Sequence, residues 1–232
     1  MLGILTLDTH FPRIPGDIGA PETFAFPVRI VAVKGADVDG VVHRQDRALL
    51  ARFAAAACDL AAAGCVGITT TCGFLARWQQ ELASAAGVPV LTSALLQLPL
   101  LARCVAAGKR VGVLTYSAPD LDAATLAAAG ADAATPVEGV DPDSYFARTI
   151  RHGSATLDRG QMAADVIAAA QRLCARHPDL GAIVLECANM PPYRDALAAQ
   201  SSLPVFDAAQ ATAWFYSGLP GTARRYGRSD LW

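Results

Sequence analysis

The stretch GITTTCGFLARW, residues 67–78, decides the fold. In it a strand-like apolar run ends in three threonines, Cys72 follows at once, and a helical pattern begins. The stretch AIVLECANMPPY, residues 182–193, repeats this order and carries Cys187 at the same strand–helix junction. Two cysteines at matching junctions indicate a duplicated unit that uses a thiol at this point.

The repeat extends beyond the two cysteines. Residues 72–90 align with residues 187–205 without a gap, and the segments share the cysteine, an aromatic residue, a leucine and a final Pro-Val pair. GILT at 3–6 also matches GVLT at 112–115, near the start of each half. We therefore expect the two halves to fold alike and to differ mainly in their loops.

Strand-like and helix-like segments alternate along the whole chain, as is typical of a mostly parallel sheet covered by helices. The predicted strands are 3–9, 28–33, 65–70, 88–93, 110–117, 181–186 and 203–209, and the predicted helices are 43–64, 73–87, 94–108, 118–130, 144–177 with a break near Gly153, 190–200 and a last one from about 208. The pattern predicts an α/β fold of two similar subdomains related by a pseudo-two-fold axis, with the active site between them. The first subdomain would comprise residues 1–95 and 207–232, and the second residues 96–206.

Composition and charge argue against several classes of binding partner. The chain has 232 residues, is 53% hydrophobic and 17% charged, and has a formal net charge of −2 with no basic block. These values indicate a globular protein and argue against nucleic acid or an anionic membrane as the main partner. No apolar run reaches the ~20 residues that cross a bilayer, and the N-terminal residues lack the features of a signal peptide. We expect a cytoplasmic protein.

The other cysteines and the histidines do not predict a metal site. Zinc sites need a close cysteine pair or histidines at ligand spacing, and neither pattern is present, so we expect no metal. In a long, core-rich chain the thiols do not need to form disulfides. Those that lie in apolar helix or strand patterns are interpreted as core residues: Cys58, Cys65, Cys104 and Cys174.

The expected geometry suggests a reaction. Ligands of open α/β sheets bind beyond the carboxyl ends of the strands, so Cys72 and Cys187 would face one cleft from opposite sides. One thiolate could remove a proton from a carbon acid while the other thiol returns a proton to the opposite face, which inverts that carbon. We expect the helix that follows each cysteine to lower the pKa of its thiol.

A substrate carboxylate in this cleft needs hydrogen-bond donors. Suitable hydroxyls and amides at the same strand ends belong to Thr71, Thr115, Tyr116, Ser117 and Asn189. The loop at residues 10–27 is rich in proline and glycine, and a loop of this length often lies over a binding site. It would be a lid or cleft wall with Asp17 or Arg13 reaching in, or else a rigid connector.

Over nearly its whole length the sequence resembles the aspartate/glutamate racemase superfamily, on the strength of TTTCGF, LECANMPPY, GILTLDT and the internal repeat. The resemblance implies a cofactor-independent reaction without metal or pyridoxal phosphate, a small carboxylate substrate and a homodimer. It implies that Cys72 and Cys187 are the two catalytic bases. The residues that it places around the substrate are Asp8, Thr9, Gly73 and Ala188, together with the residues at 115–117.

Two departures from the family pattern concern the substrate. Amino-acid racemases usually have Cys-Asn-Thr at the first cysteine, whereas Cys72 is followed by Gly73 and Phe74. At the second cysteine they often have Gly-Cys-Thr, whereas this chain has Glu186 before Cys187 and continues as CANM, closer to hydantoin racemases. Glu186 would either hydrogen-bond a neighbour or bind a cationic group of the substrate.

The sequence thus predicts an isomerase: a cofactor-independent racemase or epimerase of a small carboxylic acid, of the aspartate/glutamate type. A hydantoin racemase or a maleate cis-trans isomerase is the alternative, and a non-catalytic binding module is a further one. A cysteine hydrolase would need a histidine beside one thiol, and His10 is the candidate for that role. Arylmalonate decarboxylases keep only the second cysteine, so the presence of Cys72 argues against that activity.

Overall fold

Two parallel four-stranded sheets form the framework of the computed structural model, which describes residues 1–222. The first sheet contains β1 (Leu2–Thr6), β2 (Val28–Ala32), β3 (Gly67–Thr70) and β4 (Val90–Leu91) in the order β2-β1-β3-β4. The second contains β5 (Arg110–Thr115), β6 (Val137–Gly139), β7 (Leu180–Leu185) and β8 (Val205–Phe206) in the order β6-β5-β7-β8. The equivalent orders confirm the predicted fold of two similar α/β subdomains.

Eight α-helices flank the sheets in the described part of the chain. They are α1 (Leu49–Ala62), α2 (Gln79–Ala86), α3 (Leu98–Cys104), α4 (Ala123–Ala128), α5 (Tyr145–His152), α6 (Arg159–Arg176), α7 (Arg194–Ala198) and α8 (Ala208–Ser217). Within residues 1–222, none of them is long and apolar enough to cross a membrane.

Several helices are shorter than the apolar pattern predicts, because their first turns have another geometry. Residues 73–78 and 94–97 form 3₁₀ turns before α2 and α3, and residues 39–43 form a π turn before α1. Pro99 lies in the first turn of α3, where the missing N–H is tolerated. The short strand β6 was not predicted, because three residues carry no usable periodicity.

The break near Gly153 is present where the sequence predicts it. Gly153 has φ +78°, a conformation that glycine adopts without strain, and it ends α5. Asp158 then caps α6 by accepting a hydrogen bond from the backbone N–H of Gln161. The Ser117 hydroxyl caps no helix, since α4 begins only at Ala123 with Asp122 as its N-cap.

The central strands are buried on both faces, which explains their continuous apolar runs. Leu2, Ile4 and Leu5 of β1, like Ile183 and Val184 of β7, are at most 1% exposed. Burying a side chain of this size fully contributes roughly 1.5–3 kcal/mol. The sheets are thus rigid platforms, and the loops at their carboxyl ends are free to form a site.

Helix α8 returns to the first sheet at the end of the described chain. The Tyr216 ring stacks on Phe26 with centroids 3.8 Å apart, and the Thr212 hydroxyl lies 3.5 Å from that of Thr69 in β3. This packing agrees with a first subdomain that resumes at 207. The boundaries at 95/96 and 206/207 stay a prediction, and residues 223–232 of that prediction lie outside the described residues.

Candidate active site

The two cysteines lie at equivalent positions of the two sheets. Cys72 is two residues beyond β3, and Cys187 is two residues beyond β7. Each opens the same turn: the carbonyl of Cys72 accepts the N–H of Leu75 at 3.1 Å, and that of Cys187 accepts the N–H of Met190 at 3.0 Å. The duplication therefore sets both the place and the local backbone of each thiol.

Both thiols line one small cavity, here called the thiol cavity, with a volume of about 30 Å³. That is room for about two water molecules. Each cysteine is only 7% exposed. The cavity is lined by Leu7, Val38, Val42, Thr71, Cys72, Gly73, Phe74, Tyr116, Ile150, Glu186, Cys187 and Asn189.

Burial controls the acidity of the thiols, contrary to the expectation that helix N-termini would lower their pKa. Burial, and secondarily the negative charge of Glu186, raise the pKa of Cys72 to about 12, although the N–H groups of Phe74 and Leu75 act in the opposite direction. The same two causes raise the pKa of Cys187 well above its ordinary value. Without a ligand, both groups are therefore protonated at neutral pH.

Glu186 is a buried carboxyl group in the wall of the thiol cavity, and its charge acts on both thiols. Its Oε2 accepts a 2.7 Å hydrogen bond from the Thr115 hydroxyl, whereas Oε1 is buried without a partner among the described residues. Burial raises the pKa of Glu186 to about 7, against the opposing hydrogen bonds from Thr115 and the backbone of Tyr116. An unpaired buried carboxylate oxygen is costly unless a ligand satisfies it.

Gly73 makes room for the Glu186 side chain. A Cβ at position 73 would lie 2.7 Å from the backbone oxygen of Glu186 and still closer to its Oε1. Only glycine leaves room for the glutamate there. Gly73 after the first cysteine and Glu186 before the second both depart from the family pattern, and the structure connects the two departures. The Glu186 carboxyl group occupies the space that a side chain at position 73 would fill.

A chain of hydrogen bonds connects Cys187 to the loop at residues 10–27. The Cys187 thiol donates to Asn189 Oδ1 at 3.6 Å, and Asn189 Nδ2 donates to Asp17 Oδ2 at 2.7 Å. Arg13 pairs with Asp17 at 2.9 Å and also donates to the Thr9 hydroxyl. The loop is therefore a fixed wall that supports the second cysteine, and neither Asp17 nor Arg13 lines the thiol cavity itself.

Tyr116 separates the thiol cavity from a surface pocket of about 580 Å³, since it lines both. Its hydroxyl lies 3.5 Å from Nε2 of His43, whose Nδ1 lies 2.8 Å from Asp120. Ser117 also donates to Asp120, at 2.6 Å. Burial raises the pKa of Tyr116 to about 12, so its phenol stays protonated and can donate.

The structure brings seven of the sequence-predicted site residues into the cavity wall: Thr71, Cys72, Gly73, Tyr116, Glu186, Cys187 and Asn189. The other predicted site residues do not line the cavity. Thr115 contacts Glu186, Ser117 contacts Asp120, and the Ala188 carbonyl accepts the N–H of Ile18 at 3.3 Å. Asp8 accepts the N–H of Gly35 at 2.9 Å and does not line the cavity.

Sequence reasoning missed the apolar wall formed by Leu7, Val38, Val42, Phe74 and Ile150. Leu7 directly follows β1, and Phe74 lies two residues after Cys72, positions that could have indicated them. The other three come from loops and helices with no local signal.

In the described part of the chain, the wall around the thiols contains no histidine. Residues 1–222 contain no group of three or more metal-ligating side chains that could hold an ion. The His10 imidazole is 86% exposed and lies 3.8 Å from Asp8, outside the wall around the thiols. It is thus not placed to activate either cysteine as a nucleophile.

The paired sheets define a two-lobed α/β fold with a buried thiol at the equivalent strand end of each lobe. The model of the Asp/Glu/Hydantoin racemase family matches residues 99–216, which is more than half of the chain. The chain therefore belongs to the Asp/Glu/hydantoin racemase family, as the sequence predicts, and this family comprises enzymes that act on small carboxylates. A structure of the Gly74Cys mutant of arylmalonate decarboxylase superposes with a TM-score of 0.63 at 16% identity, covering 93% of this chain and 91% of that one.

Two curated relatives carry another name. The chain is 27% identical to a dimethylsulfoniopropionate lyase of Durusdinium sp. clade D, over 99% of this chain and 78% of that protein. It is 30% identical to dimethylsulfoniopropionate lyase 5 of Emiliania huxleyi, over 93% of this chain and 45% of that protein. The chain thus spans less than half of the second relative.

Proposed function

We propose that this protein is a carbon-acid lyase that removes a proton next to a carboxylate and expels dimethyl sulfide from dimethylsulfoniopropionate. The observation that carries this proposal is the thiol cavity, which brings two thiols and one carboxyl group together with five apolar side chains and the polar side chains of Thr71, Tyr116 and Asn189. The names of the relatives supply the leaving group. Proton abstraction by a cysteine is common to this elimination and to racemisation.

The reaction balances with a single base. A thiolate takes a proton from the α carbon, and the electrons of that C–H bond form the double bond between the α and β carbons. The bond from the β carbon to sulfur breaks, and its electron pair leaves with neutral dimethyl sulfide. Acrylate remains, and the proton on the thiol passes to solvent before the next turnover.

Cys72 is the better candidate for the base. Burial and the charge of Glu186 raise the pKa of both thiols, but at Cys72 the N–H groups of Phe74 and Leu75 and the guanidinium of Arg77 oppose this rise. At Cys187 the N–H of Asn189 opposes it, whereas the charges of Cys72 and Asp17 raise the pKa further. A bound sulfonium would add a positive charge in a medium of low dielectric constant, which favours ionisation of the thiol. Cys187 would face the other side of the α carbon.

The thiol cavity must widen when such a substrate binds, because its 30 Å³ are too small for the whole molecule. Its walls include side chains from three separate segments, namely Val38 and Val42, Phe74, and Ile150. Tyr116 borders the surface pocket and would move with them. Burying the methyl groups of the substrate against this wall would contribute to binding.

Racemisation of a small amino acid is the second candidate. The placement of a thiol at the equivalent point of both sheets favours it, since an elimination needs one base and an inversion uses two. Hydantoin racemisation and maleate cis-trans isomerisation are the related alternatives. A homodimer and a cytoplasmic location stay predictions.

Proton NMR in deuterated water separates these reactions. Dimethylsulfoniopropionate, aspartate, glutamate, a substituted hydantoin and maleate are each incubated with the wild type, Cys72→Ser and Cys187→Ser. With the wild type we expect the vinyl signals of acrylate. In Cys72→Ser the rate of acrylate formation should fall by about 10²–10⁴-fold, as for removal of a general base. Exchange of the α proton of an amino acid without acrylate would refute the lyase and establish the racemase.

A further inference from the structure

Two of the unpaired polar atoms inside the protein belong to the same cavity. Within residues 1–222, only three buried side-chain oxygens lack a hydrogen-bond partner, and two of them, Thr71 Oγ1 and Glu186 Oε1, belong to residues that line the thiol cavity. Native proteins satisfy most buried polar groups, so such exceptions call for an explanation. A ligand that meets both atoms supplies one.

The two atoms are complementary in character. The Thr71 hydroxyl can donate to a carboxylate, whereas the ionised carboxyl group of Glu186 can only accept or face a positive charge. Among the described residues that line the cavity there is no lysine or arginine. The pair therefore suits a zwitterion with its anionic end at Thr71 and its cationic end at Glu186.

The wall identifies the kind of cation. An ammonium group has three N–H donors and needs three acceptors, whereas the cavity offers two unpaired oxygens, one of which the substrate carboxylate would use. A dimethylsulfonium group has no N–H and presents methyl groups. The apolar side chains that line the same cavity as Glu186, among them Phe74 and Ile150, match those methyl groups.

We infer that Glu186, held by Thr115 and given room by Gly73, is the residue that recognises the methylated onium group of the substrate and sets the specificity of the site. This inference rests on the proposed function and adds to it the group that binds the cation. The hydrogen bond from Thr115 to Oε2 fixes the carboxyl group and leaves Oε1 without a partner. Any side chain at position 73 would displace it.

Binding to a slow variant tests this role without turnover. Calorimetry is performed on Cys72→Ser with two ligands of the same shape: dimethylsulfoniopropionate, and 4-methylpentanoate, in which a neutral carbon replaces the sulfonium. With Glu186 present, the sulfonium ligand should bind about 10- to 100-fold more tightly, as for an interaction with a charged partner. Adding Glu186→Gln should bring the ratio close to one, and Glu186→Asp should keep part of it.

The outcomes are distinct. A ratio that Glu186→Gln leaves unchanged, in protein that melts as sharply as its parent, overturns the inference. A loss of kcat in the single variant Glu186→Gln, with KM and the binding ratio unchanged, also overturns it and makes the carboxyl group a proton carrier. Absence of binding by both ligands to Cys72→Ser overturns it as well. If the wild type releases no dimethyl sulfide but the ratio depends on Glu186, only the proposed reaction fails and the recognition role stands.

Discussion

Replacing Glu186 by glutamine should make the protein more stable, and increasingly so as the pH rises. The pKa of this carboxyl group is raised by burial from 4.5 to about 7. One pKa unit corresponds to about 1.4 kcal/mol, so keeping the ionised group buried costs about 3 kcal/mol at a pH above both values. Glutamine has nearly the same shape, retains an acceptor for the Thr115 hydroxyl and carries no charge.

The sign follows from proton binding. Between about pH 4.5 and pH 7 the folded wild type binds more protons at Glu186 than the unfolded chain does. The stabilising contribution of the neutral carboxyl group is therefore fully present below the unfolded pKa and is lost as the pH rises through the folded pKa. The variant has no such loss, and the difference between the two proteins should reach its limit by about pH 8.

Urea denaturation at pH 5, 6, 7 and 8 measures this difference. The free energy of unfolding of Glu186→Gln, minus that of the wild type, should grow by about 2.5 kcal/mol across the series. Asp195→Asn is the matched control, because the Asp195 side chain is 87% exposed and its difference should stay nearly constant. A flat difference for Glu186→Gln would refute the reasoning, since it would mean that the folded protein holds this carboxyl group ionised throughout.

Three further predictions concern the same region. Gly73→Ala should lower the free energy of unfolding by about 1–3 kcal/mol, and adding Glu186→Ala should recover part of this in urea titrations, since only the clash with the backbone oxygen remains. Asp17→Asn should cost about 1–3 kcal/mol in the same assay, because it leaves the guanidinium of Arg13 without its charged partner. Iodoacetamide at pH 8 should modify the exposed Cys58 at least about 10²-fold faster than Cys72, because the buried thiol is almost entirely protonated. Mass spectrometry measures the two rates.

Each of these has a matched control in the chain. Gly218→Ala places its Cβ no closer than 3.7 Å to a neighbour and should be tolerated. Asp195→Asn serves again for Asp17→Asn. The apolar pattern wrongly predicts Cys58 and Cys104 as core residues, since both are exposed. For the alkylation, Cys104 should therefore react like Cys58. Additive costs for Gly73→Ala and Glu186→Ala, an Asp17→Asn protein as stable as its control, or early modification of Cys72 would each contradict the structure.

Much of the fold could be read from local patterns. The apolar runs of the central strands, the glycine that ends α5 and the proline-containing loop at residues 10–27 each have a cause within a few neighbouring residues. Where the local signal was weak, the prediction failed. The strand β6 has only three residues, and the first turns before α2 and α3 are 3₁₀ although their apolar spacing is that of a longer α-helix.

The sequence by itself determined that the chain is duplicated and that Cys72 and Cys187 occupy equivalent strand ends, because a repeat and a strand–helix junction are properties of consecutive residues. Tertiary structure alone decided what surrounds the thiols. The contact between Gly73 and Glu186 joins the two subdomains, and Val38 and Ile150 reach the cavity from distant segments. The raised pKa of Cys72 likewise arises from burial by side chains far apart in sequence. Desolvation depends on the assembled packing of both lobes, which no local pattern contains.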